Sequence, residues 1–166
     1  MRRHGCAALL LLCAGSAPQP LTAATSQSFQ VSATVTAGCL VVGGVSNYGG
    51  LNFGSRSALA TGTVQVALTG GVQLQCTPGV TLNMSVDGGQ YNSSGRHMQV
   101  NSGSARVAYA LFRDAAYSQS LGIGQSVAVA YSDANNISLP IYGQVQLPGN
   151  QPGGTYSDVL QVQLSW

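Results

Sequence analysis

From Phe29 to Trp166 the apolar residues of this chain recur at every second position in short runs, and Gly or Pro closes most of them. Val64, Val66 and Leu68 alternate before Gly70-Gly71, and Val72, Leu74 and Cys76 before Thr77-Pro78-Gly79. Leu82, Met84 and Val86 follow the same rule before Asp87-Gly88-Gly89, where Asp ahead of Gly is turn chemistry. Met98 and Val100, then Val127, Val129 and Tyr131, and finally Leu160, Val162, Leu164 and Trp166 continue it. A period of two puts such residues on one face of a strand; a helix would need spacings of three and four. Many short strands of this kind predict an all-β antiparallel sandwich. Two runs read differently. Residues 107–112 are almost continuously apolar, which suits a strand buried on both faces, although the length of the run alone does not exclude a helix. Ile137, Leu139 and Ile141 are interrupted by Pro140, which restricts that run to an edge or bulged strand.

The start of the chain is set apart. Arg2 and Arg3 precede an apolar run, residues 7–14, that is too short to span a bilayer and reads as the core of a secretion signal. Thr22-Ala23-Ala24 supplies small residues for cleavage, so residues 1–24 drop out of the fold, with Ala17 as the second cleavage position. Just behind it, Phe29, Val31, Ala33 and Val35 alternate with Gln30, Ser32, Thr34 and Thr36 on the way to Cys39. The apolar face of such a strand needs a groove, in this molecule or in a neighbour.

Without the signal, Arg56, Arg96, Arg106 and Arg113 face Asp87, Asp114, Asp133 and Asp158, and there is no Lys or Glu. A formal charge of zero leaves no footprint for nucleic acid or anionic membranes and favours self-association. No second stretch reads as a membrane span, so direct membrane insertion is not expected. Cys6 and Cys13 leave with the signal. Cys39 and Cys76 remain as an even pair in an oxidising compartment, which predicts a disulfide closing a loop of roughly forty residues. Zinc would need more ligands than this pair and His97 offer.

Catalytic chemistry has little material here. His97 is the only histidine after the signal, with nothing beside it in sequence to orient it. The four aspartates are far apart, and Arg113-Asp114 reads as a polar strand end. Neither an enzyme nor a cofactor site is expected.

A set of short elements carries a resemblance: Ala37-Gly38-Cys39, Leu51-Asn52-Phe53-Gly54, Leu74-Gln75-Cys76 and Val86-Asp87-Gly88-Gly89. Ala108-Tyr109-Ala110-Leu111-Phe112-Arg113-Asp114-Ala115, Leu139-Pro140-Ile141-Tyr142-Gly143 and Gly154-Thr155-Tyr156-Ser157-Asp158 follow in order, ahead of the final run to Trp166. In this order the chain resembles the spore coat protein U domain family, which includes the major subunits of archaic (Csu-type) chaperone–usher pili. The resemblance implies an incomplete immunoglobulin-like antiparallel β-sandwich, lacking its last strand and completed by donor-strand exchange. It divides the mature chain into a donor segment, 25–38, and a pilin domain, 39–166. Phe29, Val31, Ala33 and Val35 would be the donor side chains. Leu160, Val162, Leu164 and Trp166 would line the acceptor groove and meet the chaperone. The implied partners are identical or related pilin subunits, a periplasmic chaperone and an outer-membrane usher. The implied role is a secreted surface fibre for adhesion and biofilm formation. A spore- or cell-coat protein assembled by the same exchange, or a minor adaptor or adhesin subunit, are the alternatives.

Overall fold

A computed structural model describes residues 27–44 and 48–166, so the signal segment lies outside the described residues. The chain divides after Thr34 into two units, the second being Val35–Trp166. That second unit is all-β, without a helix among its described residues. Its strands are β1 (Cys39–Val41), β2 (Thr61–Ala67), β3 (Leu74–Cys76), β4 (Asn83–Val86) and β5 (His97–Val100). They continue with β6 (Arg106–Phe112), β7 (Val127–Ala128), β8 (Tyr142–Pro148), β9 (Tyr156–Ser157) and β10 (Val162–Ser165).

Every strand pair is antiparallel. One layer is a five-stranded sheet in the order β2-β8-β6-β5-β9; another is β10-β4-β7; β1 pairs with β3 alone. The alternation in sequence is realised as burial. Leu82, Met84 and Val86 are 0–1% exposed, and Val72, Leu74 and Cys76 lie in the same core. Leu111 of the five-stranded sheet joins that core, and Val162 and Leu164 of β10 pack against it, so the sheets enclose one apolar interior. Among the described residues, sixteen buried apolar residues against a single buried charged one fit a core driven by removal of apolar surface from water. The fold class is therefore the antiparallel sandwich that the alternation predicts.

Cys39 and Cys76 are directly opposite in the β1–β3 ladder and form a disulfide, S–S 2.00 Å. The expected bridge is present.

Two expectations are corrected. Residues 107–112 lie within β6, but only Val107, Tyr109 and Leu111 face inward, while Ala108 and Ala110 are exposed. Alanine is small enough to stand on a solvated face, so the run of apolar letters concealed an ordinary one-sided strand. Ile137, Leu139 and Ile141 are all buried, yet they form no strand beyond one bridge, Leu74↔Ile137. Pro140 has no N–H for a ladder, and β8 begins only at Tyr142. Residues 27–38, the described part of the 25–38 donor segment, belong to no strand among the described residues. Strand geometry depends on a ladder of partners, which alternation alone does not supply.

Candidate functional site

The last strand is the most unusual part of the fold. β10 has a single strand neighbour among the described residues, β4, in the register Val162↔Val86 and Leu164↔Met84. Its inner residues meet the buried face of β4, since Val86 and Met84 are each 1% exposed. Leu160, Val162 and Leu164 are half-buried against the core, whereas Gln163 and Ser165 face outward. Trp166 remains 59% exposed and Val159 52%. One long side of β10 therefore carries backbone groups without a ladder partner, next to partly covered apolar side chains. An unpaired edge of this kind is a template for another strand unless something covers it.

β1 enters beside the far end of this edge. A Cβ on Gly38 would stand 3.6 Å from Nε1 of Trp166. The Gly38 N–H donates to Thr77 Oγ1, and Gly38 O accepts the Thr77 N–H, which fixes the chain as it enters β1. The four predicted donor residues lie before this point. Phe29 is 86%, Val31 82% and Val35 86% exposed, and Ala33 is also exposed. Exposed large apolar side chains at a period of two are a face without a cover.

A polar cluster holds the other end of β10, and it was not legible in the sequence. Arg96 is 5% exposed and its guanidinium donates only to main-chain carbonyls. Nε reaches Asp87 O at 2.8 Å, Nη1 reaches Leu121 O at 2.7 Å, and Nη2 reaches Val86 O at 2.9 Å and Gly122 O at 3.3 Å. Its planar fork of donors suits several fixed acceptors at once, which is what makes burial of the charge tolerable. Burial pulls the guanidinium below its ordinary pKa, while Tyr109, Asp87 and Asp158 work against that shift.

Two carboxylates extend the cluster to the start of β10. Asp87 Oδ1 accepts the N–H of Gly89 at 3.0 Å and of Gln161 at 2.9 Å. Asp158 Oδ1 accepts the N–H of Gln90 and of Val159, each at 2.9 Å, and its Oδ2 accepts the Tyr109 hydroxyl at 2.7 Å. Burial, and next the hydrogen bond to Asp158, push the Tyr109 phenol above its ordinary range. Gly89 makes the approach possible. Its φ is +80°, and a Cβ there would fall 2.0 Å from Asp158 Oδ2.

The remaining polar residues singled out in the sequence are not brought together into a site. His97 lies in β5 with Nδ1 2.9 Å from Gly95 O. Asp114 is a loop organiser: its carboxylate accepts from the N–H and Oγ of Ser118 and from the N–H of Gln119. Desolvation opposes its charged form, but the hydrogen bonds from Gln119 and Ser118 outweigh it and lower the pKa. A cavity of about 500 Å³ opens on the inner face of the five-stranded sheet, lined by Leu51, Phe53, Met98, Val107 and Val145 among others. The Phe53 ring lies 6.4 Å from that of Tyr109.

Comparison with known proteins places residues 25–163 within the family described as the Spore Coat Protein U domain. No curated protein matches. Among solved structures, the chain is similar to the CsuC–CsuE chaperone–tip adhesion subunit pre-assembly complex from archaic chaperone–usher Csu pili of Acinetobacter baumannii. The TM-score is 0.52 at 15% identity, covering 80% of this chain and 41% of that one. A chaperone–tip adhesin complex of CFA/I fimbriae biogenesis gives 0.47 at 14% identity, covering 78% and 41%. The chain thus spans about two fifths of the length of the solved chains it matches. The first likeness agrees with the immunoglobulin-like sandwich fold.

Proposed function

Because the chain belongs to the Spore Coat Protein U domain family, we propose that it is a structural subunit of a surface fibre that grows by strand addition along β10. The observation that carries this reading is the half-open last strand. Val162 and Leu164 sit on the core, yet β10 has β4 as its one ladder neighbour among the described residues. Residues 29–35 are a matching occupant, because their apolar face is exposed and has the same period of two. A second copy would lay Phe29, Val31, Ala33 and Val35 against Leu160, Val162, Leu164 and Trp166. Main-chain bonds would supply affinity and the alternate side chains specificity.

Burying Phe29, Val31 and Val35 would contribute on the order of 5–8 kcal/mol as an upper estimate, before the hydrogen-bond ladder is counted. Until a second copy arrives, the edge needs a temporary cover. In this reading a periplasmic chaperone lends the cover and an outer-membrane usher exchanges it for the next subunit. The fibre is then a cell-surface structure for adhesion and biofilm formation, and the subunit's work is mechanical, without catalysis.

The donor acts in trans in this reading. Gly38 lies beside Trp166 at the end of β10, so a chain folding back on its own edge would have to run parallel to β10. An incoming segment is free to pair antiparallel, the geometry that is slightly more stable per residue. The test is the double variant Val31→Asp, Val35→Asp, expressed with its chaperone and usher. Unheated secreted material from the unaltered protein should give a ladder on SDS gels. The variant should give a chaperone-bound folded monomer and no ladder, because two charges would enter dry pockets. An undiminished ladder from the variant, or a variant monomer that no longer folds on the chaperone, would overturn the reading.

A further inference from the structure

We propose that Arg96, Asp87, Asp158 and Tyr109 form a clasp that holds the start of β10 in register, and that they are positioning residues for strand addition at its open edge. The proposal rests on the reading of β10 as an acceptor strand. A strand with neighbours on both sides is held by two ladders, but among the described residues β10 has one, four residues long. Loss of its register by one residue would turn Val162 and Leu164 outward and present Gln163 to the core. Something other than a second ladder has to prevent that.

The clasp supplies what is missing. On one side, Arg96 joins the end of β4 (Val86 O and Asp87 O) to the loop carbonyls of Leu121 and Gly122. Arg96 also precedes β5, and its own carbonyl accepts the Tyr109 N–H, so the guanidinium fastens β4 to the five-stranded sheet. On the other side, the segment leading into β10 is tied by both carboxylates. Asp87 binds Gln161 twice, through Oδ1 to its N–H and through its own N–H to Gln161 O at 3.1 Å. Asp158 ties Val159 and Gln90 with one oxygen and the Tyr109 hydroxyl with the other. Among the described residues no buried side-chain polar atom is left without a partner, so the buried end of the network, around the Arg96 guanidinium, is closed. At that buried end the dielectric is low and a closed polar network favours one arrangement over near alternatives, while the carboxylate bonds to Gln90, Val159 and Gln161 extend it to the surface.

The alternation of Val162 and Leu164 tells β10 which face to bury, and the clasp tells it where to start. An incoming strand would then meet an edge already in register.

The experiment uses the full mature chain and, as probe, a synthetic peptide of residues 27–38. Three variants are compared with the unaltered protein: Asp158→Ala, Asp158→Asn and Tyr109→Phe. Two readouts are taken, the rate of peptide capture and amide hydrogen exchange along the chain. In Asp158→Ala, capture should slow by about tenfold or more, the scale expected for loss of hydrogen bonds to a charged acceptor. Exchange should rise at residues 159–165 and stay unchanged in β6 and β8. Asp158→Asn keeps an oxygen for the two N–H donors and an amide for the Tyr109 oxygen, so it should restore most of the rate. Tyr109→Phe should fall between the two. Unchanged capture in Asp158→Ala, or exchange raised equally across all strands, would overturn the clasp. If the unaltered protein captures no peptide, the acceptor reading fails, and exchange alone decides the clasp: local loosening at 159–165 supports it, and uniform or absent change overturns it.

Discussion

Removing the Cys39–Cys76 disulfide is a sharp perturbation because its effect can be worked from the connectivity. The bridge spans 37 residues in sequence. In the chain-entropy model a loop of that size costs the unfolded state about 4 kcal/mol. The native state adds a second reason. β1 is three residues long and, among the described residues, has β3 as its one ladder neighbour, so the disulfide reinforces a short ladder and the packing of Cys39 and Val41 on the core. The flanking bonds are few: Val42 N–H to Gln73 O at 2.9 Å, and the reciprocal contacts of Gly38 with Thr77. Replacing both cysteines by alanine, which leaves no free thiol, should therefore lower unfolding stability by about 3–5 kcal/mol. Against a typical total of about 5–15 kcal/mol, this leaves a marginal domain. The assay is equilibrium urea unfolding of the monomer followed by tryptophan fluorescence, since Trp166 is the only tryptophan. Native protein under reducing and non-reducing conditions serves as the control. A loss below about 1 kcal/mol, in a variant with an unchanged m-value, would refute the reasoning. It would mean that the unfolded chain already keeps residues near 39 and 76 together without the bond.

Met84→Ala should cost about 2–5 kcal/mol in the same assay, since the side chain is 1% exposed between β10 and β7; a cost below 1 kcal/mol would mean the site collapses around the cavity. The Tyr109 phenol holds its proton more tightly folded than unfolded, so the stability it contributes is complete below the ordinary pKa near 10 and is lost as pH rises above it. Thermal unfolding between about pH 9 and 11 should show a steeper alkaline loss in the native protein than in Tyr109→Phe. Identical slopes would refute the assignment.

The residue order by itself determined the class of fold and much of its inside. Period two in 82–86 and 160–166 selects the buried face of β4 and the half-buried face of β10, because successive side chains of a strand point to opposite sides whatever its partners are. Asp87-Gly88-Gly89 encodes its turn locally, and a lone cysteine pair leaves one bridge to form. What tertiary structure decided is everything that depends on neighbours. Alternation cannot say that β10 pairs with β4, some eighty residues earlier, nor that its other edge carries no ladder among the described residues, because pairing is set by long-range packing and not by local pattern. Ala108 and Ala110 read as core letters until the sheet shows which face they occupy. Arg96 enters the sequence only as one of four balanced arginines, and it becomes an interior charge only where folding gathers four carbonyls from residues 86, 87, 121 and 122 around one guanidinium. No local pattern announces such a site, since the acceptors are backbone atoms that every residue carries.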